Sequence, residues 1–178
     1  MKNRTLSLFL VLGLLGSSTS WMGCAGKAFD ENDPAILYRE AEEDITNDHY
    51  QLALDKLRVI KNKFPYSKYS LDAQLRIADV YFMQEAFGEA ALSYESFKDL
   101  HPKHERVPYA MYRTAISYYS DMPDNVSRDM TSGQKALDSF GEFILRFPNA
   151  PDTPEAQKKV TEVRENLAQK DLYVGNFY

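Results

Sequence analysis

A pattern of apolar residues that closes with a proline occurs three times in this chain. The first copy consists of Tyr50, Ala53, Leu57, Ile60, Phe64 and Pro65. The pattern returns after a shift of 37 (87 − 50), as Phe87, Ala90, Tyr94, Phe97, His101 and Pro102. It returns again after a shift of 46 (136 − 90), as Gly133, Ala136, Phe140, Phe143, Phe147 and Pro148. Repeats of this length are typical of stacked helical hairpins, because one hairpin alone cannot bury its apolar face.

Each copy of the pattern is interpreted as the second helix of a pair. The middle unit fits the tetratricopeptide pattern best, with Ile77, Ala78 and Tyr81 in its first helix and Ala90 and Tyr94 in its second. Small residues at positions 78 and 90 allow the two helices to approach closely. The sequence therefore predicts an all-α superhelix of tetratricopeptide repeats, about three repeats and a C-terminal helix. The predicted units are residues 34–65, 71–102 and 108–148, with a partial unit at 152–178.

Local signals mark where the predicted helices begin and end. Asp33 followed by Pro34 fits a cap and a first helical position. The third unit holds nine extra residues, and the sequence Asp121-Met122-Pro123-Asp124-Asn125 predicts that they form an exposed loop. Asp152 or Thr153 is expected to cap the last helix.

The N-terminus resembles a secretory leader. Lys2 and Arg4 precede an apolar run at positions 6–15, which is too short to span a membrane. The residues Trp21-Met22-Gly23-Cys24 then resemble a bacterial lipobox, and Cys24 is the single cysteine of the chain. These features predict a signal peptide at 1–23, a lipidated tether at 24–33 beginning with Cys24, and a repeat domain at 34–178. Cleavage after Ser18-Thr19-Ser20, giving a soluble periplasmic protein, is the alternative.

Charge and motif content exclude several classes of function. The formal net charge is −5, and near −7 once Lys2 and Arg4 leave with the leader, since 19 basic residues then face 26 acidic ones. This balance argues against a nucleic-acid partner, which requires a clustered positive surface. No nucleophile elbow, phosphate loop or dinucleotide turn occurs in the sequence, so neither an enzyme nor a cofactor site is predicted. His101 and His104 flank a proline turn and lack a third ligand nearby, so no metal site is predicted either.

Several features together resemble one family. They are the lipobox, the repeats, His101-Pro102-x-His104 leading into Tyr109-Ala110-Met111-Tyr112, and Arg164-x-x-Leu167-Ala168 before the C-terminal run 172–178. On these residues the chain resembles the BamD (ComL-like) family of outer-membrane lipoproteins of the β-barrel assembly machinery. The resemblance implies a lipid anchor at the periplasmic face of the outer membrane, and Ala25 after the cysteine favours that membrane. It also implies as partners a BamA-like barrel-forming subunit, accessory lipoproteins and unfolded outer-membrane proteins. Members of the family usually carry more repeats, so this chain is expected to be a C-terminally shortened form.

A ligand groove is expected on the first helix of each repeat, by resemblance to other domains of this type. The residues expected to face the groove are Tyr38, Glu42, Leu75, Asp79, Phe82, Met83, Tyr109, Tyr112, Ile116 and Tyr119. In the third unit they form a second apolar stripe beside the packing face of Met111, Ala115 and Tyr118. A helix with two apolar faces is buried on both or covered by a partner. The stripe is therefore either a peptide groove or a surface that packs on neighbouring helices.

The resulting hypothesis is a lipid-anchored periplasmic scaffold for β-barrel assembly that binds unfolded outer-membrane proteins. One alternative is a soluble periplasmic tetratricopeptide protein that coordinates cell-envelope or division processes. Another is a repeat domain that serves as the regulatory subunit of an envelope enzyme.

Overall fold

The computed structural model describes residues 33–176, and all regular structure within that range is helical. The helices are, in order, α1 Pro34–Thr46, α2 Tyr50–Lys63, α3 Tyr69–Met83, α4 Phe87–Leu100, α5 Val107–Ser120, α6 Thr131–Arg146 and α7 Thr153–Gly175. Successive helices pack against each other, so α1 to α6 form three hairpins and α7 packs on the third. The predicted all-α fold of tetratricopeptide type is thereby confirmed. The predicted leader, Cys24 and most of the tether lie outside the described residues, as do Phe177 and Tyr178.

The tight turns inside the first two hairpins have the same backbone geometry. Asp48 and Glu85, related by the shift of 37 (85 − 48), adopt the left-handed conformation with φ of 59° and 58°. In each turn the next amide donates to the carbonyl five residues back, at 2.8 and 3.0 Å. The sequence repeat is therefore also a repeat of backbone conformation.

The turns between hairpins repeat as well, and a proline explains how each helix ends. The residue before a proline is disfavoured in the helical region, because the proline ring clashes with its backbone. Phe64, His101 and Phe147 precede prolines and leave the helix with φ of −125°, −131° and −132°. The amide three residues later then donates to the carbonyl of each of them, at 2.9, 2.9 and 3.1 Å.

Small and large core residues recur at equivalent positions of the hairpins. The alanines of the pattern have no exposed surface: Ala41, Ala78 and Ala115 in the first helices, and Ala53, Ala90 and Ala136 in the second. The large residues between the hairpins are also fully buried, and they include Leu57, Tyr94, Phe97, Phe140 and Phe143. The predicted packing positions are thus occupied as the spacing requires.

Contacts between hairpins identify the inner face of the stack. The backbones of α1 and α3, and those of α5 and α7, approach closely, whereas in residues 33–176 those of α2 and α4, and of α4 and α6, lie farther apart. The exposed ion pair of Lys98 with Glu142, at 3.3 Å, links α4 to α6 through side chains. In these two pairs the first helices therefore lie closer together than the second helices do. That arrangement places α1, α3 and α5 on the concave side.

The predicted helix starts and the predicted loop are seen in the structure, with one difference. Asp33 accepts a hydrogen bond from the amide of Ala35 at 2.8 Å and caps α1. Residues 121–130 connect α5 to α6 without helical structure. At α7, Asp152 makes no side-chain capping bond, and Thr153 instead donates its hydroxyl to the carbonyl of Phe147 at 2.7 Å. This bond ties the start of α7 to the turn before it. No helix in the described part of the chain is both long enough and apolar enough to cross a membrane.

Candidate functional site

Four of the ten predicted groove residues meet in one cleft on the concave side. The cleft has a volume of about 280 Å³. It lies between α1, α3 and the start of α5, and its lining residues are Tyr38, Glu42, Asp72, Leu75, Arg76, Asp79 and Arg106. Asp72, Arg76 and Arg106 were not predicted. The cleft is therefore more strongly charged than the sequence pattern indicated.

An ion pair between α1 and α3 forms one wall of this cleft. Arg76 donates from Nε to Oε1 of Glu42 at 2.8 Å and from Nη2 to Oε2 at 2.7 Å. A bidentate pair of this kind fixes the orientation of both side chains. The first and second hairpins are thus joined through a directional contact on their concave side.

The carboxylate of Asp79 is the polar centre of the site. The residue is 8% exposed, and its Oδ1 accepts hydrogen bonds from the hydroxyls of Tyr94 and Tyr109, the latter at 2.5 Å. Arg76 Nη1 lies 3.6 Å from the other carboxylate oxygen. A buried carboxylate is tolerated only where donors and opposite charge compensate it. Here those groups come from α3, α4 and α5, so Asp79 connects the second hairpin to the third.

The tyrosines around these carboxylates remain protonated hydrogen-bond donors. Burial, reinforced by the negative charge of Asp79, raises the pKa of Tyr109 to about 12 and also raises the pKa of Tyr94. Burial and the neighbouring charge of Glu42 raise the pKa of Tyr38 to about 12. The cleft therefore offers hydroxyl groups, carboxylates and guanidinium groups as binding partners at neutral pH.

Phe82 and Met83, at the end of α3, lie away from the cleft. The ring of Phe82 makes an edge contact with Phe87 at 5.1 Å between centroids. The guanidinium of Arg113 lies 4.0 Å from the Phe82 centroid, and Arg113 Nε donates to the Tyr94 hydroxyl at 3.2 Å. Met83 is 43% exposed. Phe82 thus takes part in the network around Tyr94, and the next residue, Met83, offers an exposed apolar side chain.

The remaining predicted residues, on α5, pack partly against α6 and α7. The Tyr112 ring lies 5.5 Å from that of Phe143, and the Tyr119 ring lies 6.4 Å from that of Phe140. The Tyr119 hydroxyl donates to Glu162 of α7 at 2.7 Å. Ile116 lies between the two tyrosines and is half-buried on the same core. Packing on neighbouring helices thus accounts for part of this stripe, and peptide binding by its exposed remainder stays a prediction.

Sequence reasoning missed Arg76, Tyr94 and Arg113 as members of the site. One signal for Arg76 was present, since Arg76 and Asp79 are charged residues inside a run that is otherwise apolar. Charges in a buried run require partners. Tyr94 was assigned to the core by its spacing, and nothing in that spacing indicates where its hydroxyl points. Within residues 33–176, no cluster of three or more histidine, cysteine or acidic side chains is placed to hold a metal ion.

The fold and the cleft define a class of protein, namely a helical-repeat protein with a polar groove on its concave side. The sequence profile of the YfiO family, described as outer membrane lipoprotein, matches residues 30–178. The chain belongs to this family.

Curated relatives of the chain carry the name outer membrane protein assembly factor BamD. The protein of Rickettsia prowazekii is 31% identical over 98% of this chain and 68% of its own length. That of Caulobacter vibrioides is 28% identical over 90% of this chain and 54% of its own length. That of Vibrio cholerae is 26% identical over 100% of this chain and 76% of its own length. The chain thus spans about half of the Caulobacter relative and about three quarters of the Vibrio one.

We predict that removing the Asp79 side chain destabilises the fold strongly. Asp79→Ala leaves two tyrosine hydroxyls without their acceptor and Arg76 without one of its charge partners. Loss of one member of a buried charged network costs about 3 kcal/mol or more. Urea unfolding followed by circular dichroism would measure the change. Asp72→Ala is the control, because that side chain is 48% exposed and lies 3.7 Å from Arg106, so the loss should stay below about 0.5 kcal/mol. Equal losses in the two variants would contradict the role given to Asp79.

We also predict that stability falls in alkaline solution because of the buried tyrosines. The unfolded chain releases the Tyr109 proton near the ordinary pKa of 10.0, whereas the folded chain holds it up to a pKa of about 12. Between these two pKa values the folded state binds more protons than the unfolded state does. The stability that Tyr109 contributes is therefore fully present below pH 10 and is lost as the pH rises from about 10 to 12. Urea midpoints measured across this range should show a shallower decline in Tyr109→Phe than in the wild type. Parallel declines would show that Tyr109 does not contribute.

Proposed function

We propose that the mature protein is a lipid-anchored scaffold of the outer-membrane β-barrel assembly machinery, located at the periplasmic face of that membrane. The observation that carries this proposal is membership of an outer membrane lipoprotein family over residues 30–178. The names of the curated relatives support the assembly role. Lipidation of Cys24 supplies the anchor, since several acyl chains on one residue hold a protein firmly in a bilayer.

The proposed partners are a barrel-forming subunit, accessory lipoproteins and unfolded outer-membrane proteins. A stack of hairpins suits this role, because its concave side presents a long surface to an extended polypeptide. The relatives are longer than this chain, so the hairpins described here account for only part of the surface such relatives present. We assign the binding of unfolded substrate to the cleft at Asp79 and to the neighbouring face of α5.

The scaffold proposal is tested by purifying the native protein from detergent-solubilised membranes. We expect intact mass to show an acylated Cys24, and we expect a β-barrel protein with periplasmic domains to co-purify. Cys24→Ala should remove the acyl mass and abolish recovery of the mature protein with the outer membrane. A mature N-terminus at Trp21 with no barrel protein in the eluate would favour the soluble periplasmic alternative instead.

The chemistry of the cleft indicates how a substrate peptide binds. Arg106 is the most accessible cation of the cleft, with a side chain 43% exposed, and it forms only a loose pair with Asp72 at 3.7 Å. Its guanidinium also lies 5.0 Å from the Tyr109 centroid. A peptide that ends in an aromatic residue with a free carboxylate complements this pair of groups. The family resemblance implies such a ligand, namely the C-terminal signal of an unfolded outer-membrane protein, which tends to end in an aromatic residue.

The peptide proposal is tested with one peptide in two forms, a free acid and a C-terminal amide. We expect Arg106→Gln to weaken binding of the acid about tenfold, as for a lost charged hydrogen bond, and to leave binding of the amide unchanged. Tyr112→Ala with Tyr119→Ala is expected to lower both affinity and thermal stability, because these rings pack on α6. Unchanged affinity in a folded double variant would remove α5 from the groove. Equal effects of Arg106→Gln on acid and amide would remove the carboxylate from the recognition.

A further inference from the structure

The antiparallel order of the helices sorts the turns of this molecule onto two opposite edges. The Asp33 edge consists of Asp33 and the turns between hairpins, 64–68, 101–106 and 147–152. The Asp48 edge consists of the turns inside hairpins, 47–49, 84–86 and 121–130. A ring contact confirms that the chain start and the first turn between hairpins share an edge, since Tyr38 stacks on Tyr69 at 5.6 Å. Tyr38 is only about 6 Å of helix rise from Pro34.

Positive charge is concentrated at one turn of the Asp33 edge. Residues 61–68 contain Lys61, Lys63 and Lys68 and no acidic residue, and all three lysines are exposed. Lys103 adds an exposed cation in the next turn along the Asp33 edge, where Arg106 stands beside Glu105. Acidic residues lie at or near the turns of both edges, namely Asp33, Asp72, Asp99, Glu105, Asp152 and Glu155 on the Asp33 edge and Asp48, Glu85, Glu89, Asp121, Asp124 and Asp129 on the Asp48 edge. The positive surface is therefore local to residues 61–68 of the Asp33 edge.

An exposed aromatic residue occupies the centre of this positive surface. Tyr66 is 101% exposed, the largest exposure among the exposed large apolar side chains of residues 33–176. The turn that presents it is fixed, because Phe64 packs on the core of the first hairpins and the Ser67 amide donates to the Phe64 carbonyl at 2.9 Å. Leu100 and Leu145, at the ends of α4 and α6 on the same edge, are 65% and 84% exposed. The Asp33 edge thus combines cations with outward-facing apolar groups.

This combination matches the chemistry of a membrane surface. Tyrosine is enriched at the headgroup level of bilayers, because its ring is apolar and its hydroxyl is polar. Lysines beside such a residue are attracted to anionic headgroups. Exposed apolar side chains also occur near the Asp48 edge, but among the described residues a fully exposed ring within a run of lysines is found only at 61–68.

We propose that the Asp33 edge rests on an anionic phospholipid surface, with Tyr66 at the headgroup level and Lys61, Lys63 and Lys68 beside the lipid phosphates. This inference deepens the proposed function, since it uses the membrane on which the anchor places the protein. Residues 25–33 span at most about 30 Å when fully extended, which keeps this edge within reach of the bilayer. The contact would hold the helices roughly perpendicular to the membrane.

The test uses the mature chain from residue 24 with Cys24→Ser, so that no acyl chain contributes to binding. This chain contains every residue that the structure describes, and it contains no tryptophan, since the single tryptophan is Trp21. Tyr66→Trp then provides one fluorescent reporter on the Asp33 edge. Tyr173→Trp is the matched reporter near the opposite end of the helices, because Tyr173 is also an exposed tyrosine, 47% accessible, in the last turns of α7.

With vesicles containing phosphatidylglycerol and brominated lipid at low salt, we expect quenching of the fluorescence of Tyr66→Trp and not of Tyr173→Trp. Phosphatidylcholine vesicles or high salt should abolish the quenching. Each of Lys61→Gln, Lys63→Gln and Lys68→Gln should lower the partition coefficient about fivefold, and all three together roughly a hundredfold. Lys135→Gln, on the exposed side of α6 near the Asp48 edge, is the control and should leave partitioning unchanged.

Three outcomes would overturn the inference. They are equal quenching in the two reporter variants, no quenching of Tyr66→Trp in anionic vesicles, and partitioning that the lysine variants do not reduce. If vesicles fail to bind while the triple lysine variant loses a co-purifying protein, the edge belongs to an acidic protein partner instead of lipid. None of these outcomes depends on acylation, so failure of the anchor at Cys24 is recognised separately by intact mass of the native protein.

Discussion

The close approach of paired helices underlies both the stack of hairpins and the cleft on its concave side. An alanine with no exposed surface lies where the helices of each hairpin meet, as with Ala78 and Ala90 in the second hairpin. A larger side chain there would separate the helix axes, since ridges and grooves interlock only at short distance. In a stack, each hairpin is positioned by the one before it, so such a shift would be passed along the chain. The hydrogen bond from Tyr109 to Asp79, which joins separate hairpins, requires that this spacing be kept.

Polar contacts add direction to this packing. Apolar burial is largely non-directional, so it favours close hairpins without fixing one orientation between them. Two polar contacts form only in a narrow range of geometries. They are the bidentate pair of Arg76 with Glu42 and the two hydrogen bonds that Asp79 accepts from tyrosine hydroxyls. Of these side chains, Glu42, Arg76 and Asp79 line the cleft. Its shape is therefore set before a ligand arrives, which reduces the entropy lost on binding.

The sequence predicted the fold well because its signals are local and repeated. Spacing of apolar residues gives the helices, and the residues before Pro65, Pro102 and Pro148 give their ends. The site was predicted only in part, because spacing assigns a residue to a face and does not specify its partner. Asp79 was placed on the concave side, yet its bonds to Tyr94 and Tyr109 depend on side-chain directions across three helices. The contacts of Tyr112 and Tyr119 depend likewise on how α6 and α7 pack on α5. The spacing of residues within α5 does not indicate that packing.

The two edges and the concave side have a fixed geometric relation to each other. The groove crosses the first helices of successive hairpins, so it runs along the stack and roughly perpendicular to the helix axes. The edges lie at the ends of those same axes. With the Asp33 edge on a membrane, the helices stand upright and the groove runs parallel to the surface. An extended polypeptide held along the described hairpins would therefore lie beside the membrane.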